Sequence, residues 1–361
     1  MFAYAAVVAT LVALAHGQCS VDFHSKLKTP EPVFLRKNNN QIVLWVPNGP
    51  LLQWHAGEAT LIACPGNKIK LGDVKTETVT AYIQCVSGTL FKIGEQPVDI
   101  SEVTCIERST GTHQNTRQAC GNGGSGTLLN LGFDIPNVGF ITYIQSCYNM
   151  QTASVIYTRH TIHGTAIKCE SQALKYLFSN NLERGHLTPD ADGILRQWQW
   201  VTYFYVNAAP QWKTINNGNW KLVEEIARYL ADRLREELII YTGAHGILTL
   251  PDVNGHQVRI KLEEGGIEVP KWFWKIIWSK NTNRAIAFVT DNNPFTDMPE
   301  GEKLCTTDSE HYGWVNFPGW KKYNDGNKLD RGFTYCCTVP VLRLAISDIP
   351  DEFRMVDVLR Y

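Results

Sequence analysis

Short alternating apolar segments, each ended by turn residues, fill the chain from residue 18 to about 140. "QIVLWVP" (41–47), "EATLIAC" (58–64), "TVTAYIQCV" (78–86) and "GTLFKIG" (88–94) all predict strands. From about residue 140 the runs lengthen. "VGFITYIQSCYN" (138–149) and "TASVIYTRHTIHG" (152–164) predict longer strands, and "LERGHL" (182–187) a short one. "ILRQWQWVTYFYVN" (194–207) alternates, with Trp198, Trp200, Thr202, Phe204 and Val206 on one face. That pattern predicts a strand with both faces at least partly covered. "TPDADG" (188–193) and "AAPQWKTINNGN" (208–219) read as loops. One segment changes period. In "WKLVEEIARYLADRLREEL" (220–238), Val223, Ile226, Ala227, Leu230 and Leu234 recur at three and four residues, which predicts a helix. "LIIYTGAHG", "VRIKL", "WFWKIIWS" and "RAIAFVTDNN" then return to strands. The expected fold class is α+β. A small β-rich domain over 18–140 precedes a domain over 141–361 in which helices pack on a mixed sheet.

Composition adds limits. The chain has 361 residues, 44% hydrophobic, with a formal net charge of -1. That suits two domains, and global charge argues neither for nor against a polyanionic partner; nucleic acid, if bound, would need a local basic patch. The opening "MFAYAAVVATLVALAHGQCS" carries an uncharged apolar run from Phe2 to Ala15, with small residues at Ala15 and Gly17. It reads as a signal peptide over 1–17, cleaved before Gln18, although it has no Lys or Arg at its start. No later apolar run is longer, so the expectation is a secreted, extracellular protein with no membrane span.

Secretion changes the meaning of the ten cysteines, which then imply up to five disulfides with pairing left open. Five of them fall before residue 140, so the N-terminal domain is read as disulfide-tied. A zinc site is disfavoured, because no Cys-x-x-Cys pair occurs. No Asn-x-Ser/Thr sequon occurs either. "GNGGSG" (121–126) matches a dinucleotide fingerprint literally, but lacks the strand before it and the helix after it. His160 and His163 fall on opposite faces of a predicted strand and read as hydrogen-bonded structural histidines.

The chemistry concentrates in "LERGHLTPDAD" (182–192) and the stretch that follows it. If helix runs through 216–228, Asn216, Glu224 and Arg228 share one broad side of it. They would face a strand ending in Arg184-Gly185-His186. Asn and Glu oxygens are hard donors suited to Mg²⁺. Arg suits a phosphate, and His can take a proton from water near neutral pH. Together they form a plausible site for phosphodiester cleavage.

These residues carry a resemblance. Glu183-Arg184-Gly185-His186, then Asn207-x-x-Pro210-Gln211, then Asn216-x-Gly218-x-Trp220-x-x-x-Glu224 resemble the DNA/RNA non-specific endonucleases of the ββα-metal superfamily. The likeness covers about 140–350. The whole layout is most similar to secreted arthropod nucleases, including crustacean digestive and duplex-specific nucleases and insect double-stranded ribonucleases. The resemblance implies a ββα-metal catalytic domain and hydrolysis of DNA and RNA with low sequence specificity, leaving 5′-phosphates. It implies Mg²⁺ as cofactor, with Mn²⁺ or Ca²⁺ as substitutes, and a double-stranded substrate. No obligate protein partner is implied. By position, His186 would be the general base and Asn216 the direct metal ligand. Glu224 would hold a metal-bound water, and Arg184 and Arg228 would stabilise phosphoryl charge. Asn207 would support the loop or touch the phosphate. Glu183 stands where the signature has Asp and is read as a supporting residue.

Blander readings stand beside these. Asn216 alone could be a helix-entry residue, and Arg228 could be an ion-pair partner of Glu224. "RGFTY" and the lysine-rich "PGWKKYNDGNKLDR" (318–331) could contact a nucleic-acid backbone or form a solvated loop. The whole chain could be a non-catalytic secreted binding protein on a nuclease fold, invited only by Glu183, or a hydrolase of small phosphodiesters.

Overall fold

The computed structural model describes residues 18–109, 111–167, 182–262, 266–296, 301–305 and 331–360. The leader expected over 1–17, Cys169 and nearly all of 318–331 lie outside the described residues.

The short N-terminal runs build a six-stranded antiparallel sheet. Its order is Gln96–Asp99, Leu90–Ile93, Thr80–Ser87, Ala59–Ala63, Val33–Asn38, Gln41–Leu44. The core here gathers Phe34, Trp54, Ile62 and Phe91, with Trp54 edge-on to Trp45 at 4.6 Å and to Phe91 at 4.8 Å. Disulfides Cys19–Cys85 and Cys64–Cys105 tie it across 66 and 41 residues.

The longer runs build a nine-stranded sheet. Its order is Thr112–Cys120, Gly126–Ile135, Gly139–Asn149, Ser154–His163, Glu237–His245, Trp272–Ser279, Arg284–Asp291, Thr334–Cys337. Asp357–Val358 adds in parallel to Arg284–Asp291, so the sheet is mixed, as expected. It runs across residue 140 unbroken, because Gly139–Asn149 pairs with a strand on each side. "GNGGSG" makes the turn between its first two strands, closed by Cys120–Cys147. A fourth disulfide joins Cys305 to Cys337, and buried Cys336 has no disulfide partner among the described residues.

The strand Trp272–Ser279 is buried at every position. Phe273 and Ile277 pack with Trp220, Val223, Ile226, Ala227 and Leu230 of the helix Asn219–Leu234. Trp274, Ile276 and Trp278 pack on the opposite face with Leu342 and Phe353. Each fully buried Val, Leu, Ile or Phe contributes roughly 1.5–3 kcal/mol, so the helix is held mainly by this apolar face. Among the described residues no helix is long and apolar enough to cross a membrane.

Two stretches depart from the sequence expectation. Residues 194–207 form a helix, Arg196–Val201, and a 3-10 turn, Tyr205–Asn207, rather than a strand. Buried Leu195, Trp198 and Val201 recur every three residues, so a helical period lay beneath the alternation. Residues 208–219 are not a loop. They hold the strand Ala208–Trp212 and the short helix Lys213–Asn216. That strand exists because a distant partner, Leu182–His186, supplies its ladder.

Candidate active site

The strands Leu182–His186 and Ala208–Trp212 pair antiparallel, with Leu182 opposite Trp212 and His186 opposite Ala208. The chain between them, 187–207, leaves and returns at one point. Asn207 pins that point. Its Oδ1 accepts from the Thr188 amide at 2.9 Å, and its Nδ2 donates to the carbonyls of Thr188 at 2.8 Å and Thr202 at 2.7 Å. Asn207 is fully buried and ties the two ends of this segment together.

Gly185 is needed in the first strand. A Cβ there would lie 2.4 Å from Oε1 of Gln211 on the paired strand. Gln211 itself is fully buried, and neither end of its amide finds a hydrogen-bond partner among the described residues. The sequence pattern contained Gln211 but assigned it nothing. Two orphaned amide atoms beside Arg184-Gly185-His186 mark it as part of the site.

Glu183 links the hairpin to the short helix. Its Oε2 accepts from Nδ2 of Asn216 at 3.1 Å and of Asn217 at 3.3 Å, and its Oε1 lies 3.6 Å from Lys213 Nζ. Holding the nitrogen end of the Asn216 amide leaves the oxygen end as the available donor. The expected common helix for Asn216, Glu224 and Arg228 is not formed. Asn216 ends the short helix, and the chain breaks at Gly218 before Asn219–Leu234 begins. A side chain at Gly218 would lie 2.4 Å from Thr214 O and 2.7 Å from Arg331 O, so the tight break requires glycine.

His186 ends its strand half-buried, edge-on to Tyr203 with ring centres 5.0 Å apart. Burial pushes its pKa below the ordinary 6.5, against the Asp190 carboxylate, which works upward. The imidazole is therefore neutral, and able to accept a proton, at neutral pH. Arg184 is exposed, with its guanidinium 4.6 Å from the Tyr205 ring centre.

A buried polar network lies beneath. Asp192 sits 2.8 Å from His160 Nε2 through one oxygen and 2.8 Å from Arg228 Nη1 through the other. His160 Nδ1 lies 3.1 Å from Thr188 Oγ1. Lys275 donates to Leu187 O at 3.2 Å and to Thr242 Oγ1 at 2.6 Å. Burial pushes Glu224 toward its neutral form, and Lys275 and Arg228 oppose that. Arg228 is thus buried and bonded to Asp192, a partner that spacing along one helix does not reveal. His163 Nδ1 lies 2.8 Å from Glu237 Oε1, so His160 and His163 are both hydrogen-bonded as expected. Asp192, Lys275, Asp190 and Tyr203 are site components that the sequence did not single out.

Among the described residues no three His, Cys, Asp or Glu side chains converge as a metal cage. The oxygen donors expected by position are the Asn216 amide, held at its nitrogen end by Glu183, and the Glu224 carboxyl on the following helix. That set fits a hard cation that keeps several waters rather than a fully ligated zinc.

Residues 124–342 match the family model of DNA/RNA non-specific endonucleases. The chain is similar to a salivary endonuclease of Lutzomyia longipalpis, 28% identical over 360 residues, covering 88% of this chain and 81% of that protein. A salivary endonuclease of Culex quinquefasciatus is 25% identical over 354 residues, covering 91% and 88% respectively. Salivary protein Tsal2A of Glossina morsitans morsitans is 25% identical over 386 residues, covering 96% of each. The matched segment spans more than half of the chain and holds the hairpin, the helices Lys213–Asn216 and Asn219–Leu234, and the buried network. The chain belongs to the DNA/RNA non-specific endonuclease family.

Proposed function

We propose that this nuclease is a secreted, Mg²⁺-dependent endonuclease that cuts DNA and RNA with low sequence specificity and leaves 5′-phosphate ends. Family membership already makes DNA or RNA the substrate and implies a divalent cation. The observation that carries the finer reading is the Glu183–Asn216 hydrogen bond at 3.1 Å. It joins the His186 hairpin to the residue suited to hold the cation.

In this reading His186 Nδ1 or Nε2 takes a proton from a water, whose oxygen bonds to phosphorus while the bond to the 3′-oxygen breaks. The leaving oxygen is protonated from solvent. Asn216 would hold the cation directly and Glu224 through a water. The cation would supply positive charge to the phosphoryl group and the departing oxygen. Exposed Arg184 grips the phosphate. Arg228, tied to Asp192, adds its positive field from beneath. Glu183, bonded to the Asn216 amide nitrogen, leaves the Asn216 oxygen for the cation. A water nucleophile does not use the 2′-hydroxyl, so both sugars are accepted. The expected leader and the four disulfides among the described residues support an extracellular location.

The test is cleavage of double-stranded DNA, single-stranded DNA and double-stranded RNA with Mg²⁺ or with chelator. Cleavage that chelator abolishes and Mg²⁺ restores is expected. No chelator-sensitive cleavage of any polymer would overturn the reading. Glu183→Asp is expected to stay within about tenfold of wild type, the equivalent of one weakened charge-assisted bond. Steady-state rates on plasmid DNA check this, and complete loss would give Glu183 a closer role than orientation.

A further inference from the structure

Phosphodiester hydrolysis does not account for the aromatic outer side of 187–207. Tyr203 is 59% exposed and Tyr205 70%. Large rings left in water on either side of the hairpin's end mark surface that something covers. Each ring is also engaged with a polar group of the site. Tyr203 stands against His186 and donates its hydroxyl to Asp190 Oδ2 at 3.0 Å. Arg184 lies over Tyr205, and Arg108 lies 4.3 Å from the ring centre of half-buried Trp200. Among the described residues neither guanidinium is paired with a carboxylate. Arg108, Trp200, Tyr203 and Phe204 line a cavity of about 580 Å³, within the range of ligand sites. Arg108 follows the strand Val103–Cys105, so the N-terminal part of the chain reaches the helix Arg196–Val201 here.

We propose that this surface is a stacking platform for an unpaired nucleobase of the substrate strand, next to the phosphate served by His186. The inference rests on the nuclease reading above and narrows its substrate. Every base offers a flat face, so rings recognise bases without reading sequence, which fits low specificity. Guanidinium planes stack on bases as well, and their charge suits the flanking phosphates. The surface is continuous with His186 through Tyr203, which places the base beside the scissile bond. On a fully paired duplex that base must first leave its stack. Single strands, ends and mismatched sites therefore meet the platform more readily.

The experiment compares an eight-nucleotide thymidine strand with an abasic strand carrying the same number of phosphates. Binding is read in chelator by fluorescence anisotropy. Cleavage is read with Mg²⁺ as KM and kcat. Wild type is expected to bind the thymidine strand about tenfold more tightly or better, a ratio set by loss of base stacking. Arg108→Gln and Tyr205→Ala, both at exposed positions, are expected to bring that ratio close to one, with circular dichroism confirming the fold. Equal binding of the two strands by wild type would overturn the platform. So would an undiminished ratio in both variants. If the ratio behaves as expected in chelator but no polymer is cut with Mg²⁺, the platform stands and the hydrolytic reading falls.

Discussion

Replacing His186 with alanine is expected to lower kcat on DNA and RNA by about 10²–10⁴-fold, the range for loss of a positioned general base. Binding of the polymer in chelator should change far less, because the exposed Arg184 and the aromatic surface remain. Single-turnover cleavage measures the step directly. A variant that cleaves at the wild-type rate would remove His186 from the chemistry. The pH profile gives an independent reading. The base works in its neutral form, so the rate rises with pH as the imidazole loses its proton. Burial holds that pKa below 6.5, and Asp190 opposes the shift. The acid limb is therefore expected below pH 6.5, and Asp190→Asn should move it lower still. An acid limb above 6.5 would contradict the buried setting of His186.

Asp192→Ala is expected to destabilise the protein by about 3–5 kcal/mol, the cost of leaving a buried charge without its partner. The stranded group is the Arg228 guanidinium, which is 8% exposed and bonds Asp192 at 2.8 Å. His160 loses the carboxylate at its Nε2 as well. Urea unfolding of wild type and variant checks the figure, and a loss under about 1 kcal/mol would mean an exposed-type pair instead. Acid should weaken the same network. Burial lowers the His160 pKa, so its stabilising neutral form is complete above 6.5 and its contribution falls as pH drops below that value. Burial acts to raise the Asp192 pKa, but His160 and Arg228 outweigh it and the pKa is lowered. That contribution is present above the ordinary Asp range and is lost as pH falls through the depressed value. The two losses follow one another as the solution is acidified, His160 first.

Much of the large sheet was legible because its strands carry their own signal. Trp272–Ser279 and Arg284–Asp291 are almost continuously apolar since both faces are covered. The helix Asn219–Leu234 was legible from a single clean stripe. The site signature was legible as separated motifs expected to face one another, but the contact that joins them was not. Glu183 reaches Asn216 across 33 residues, and no local period encodes that contact. Ala208–Trp212 contains Pro210 and earns its strand only from a distant partner. Arg196–Val201 was misread because Trp198 and Trp200 satisfy alternation while Leu195, Trp198 and Val201 satisfy a turn of helix. Asp192, Lys275 and the pairing of Arg228 with Asp192 were hidden for a different reason. Charged residues follow no hydrophobic period, so only the fold reveals which of them it buries together.

The closure at Asn207 has a practical consequence. The amide joins Thr188, Thr202 and its own position in the chain into one knot, so the segment between begins and ends beside His186. Such a segment can be exchanged like a cassette. Transplanting residues 189–201 from a relative, with Thr188, Asp192, Thr202 and Asn207 retained, would alter the surface around Trp200 while leaving the hairpin of His186 in register. Substrate preference in this family could drift by replacement of that one cassette, without renegotiating the geometry of hydrolysis.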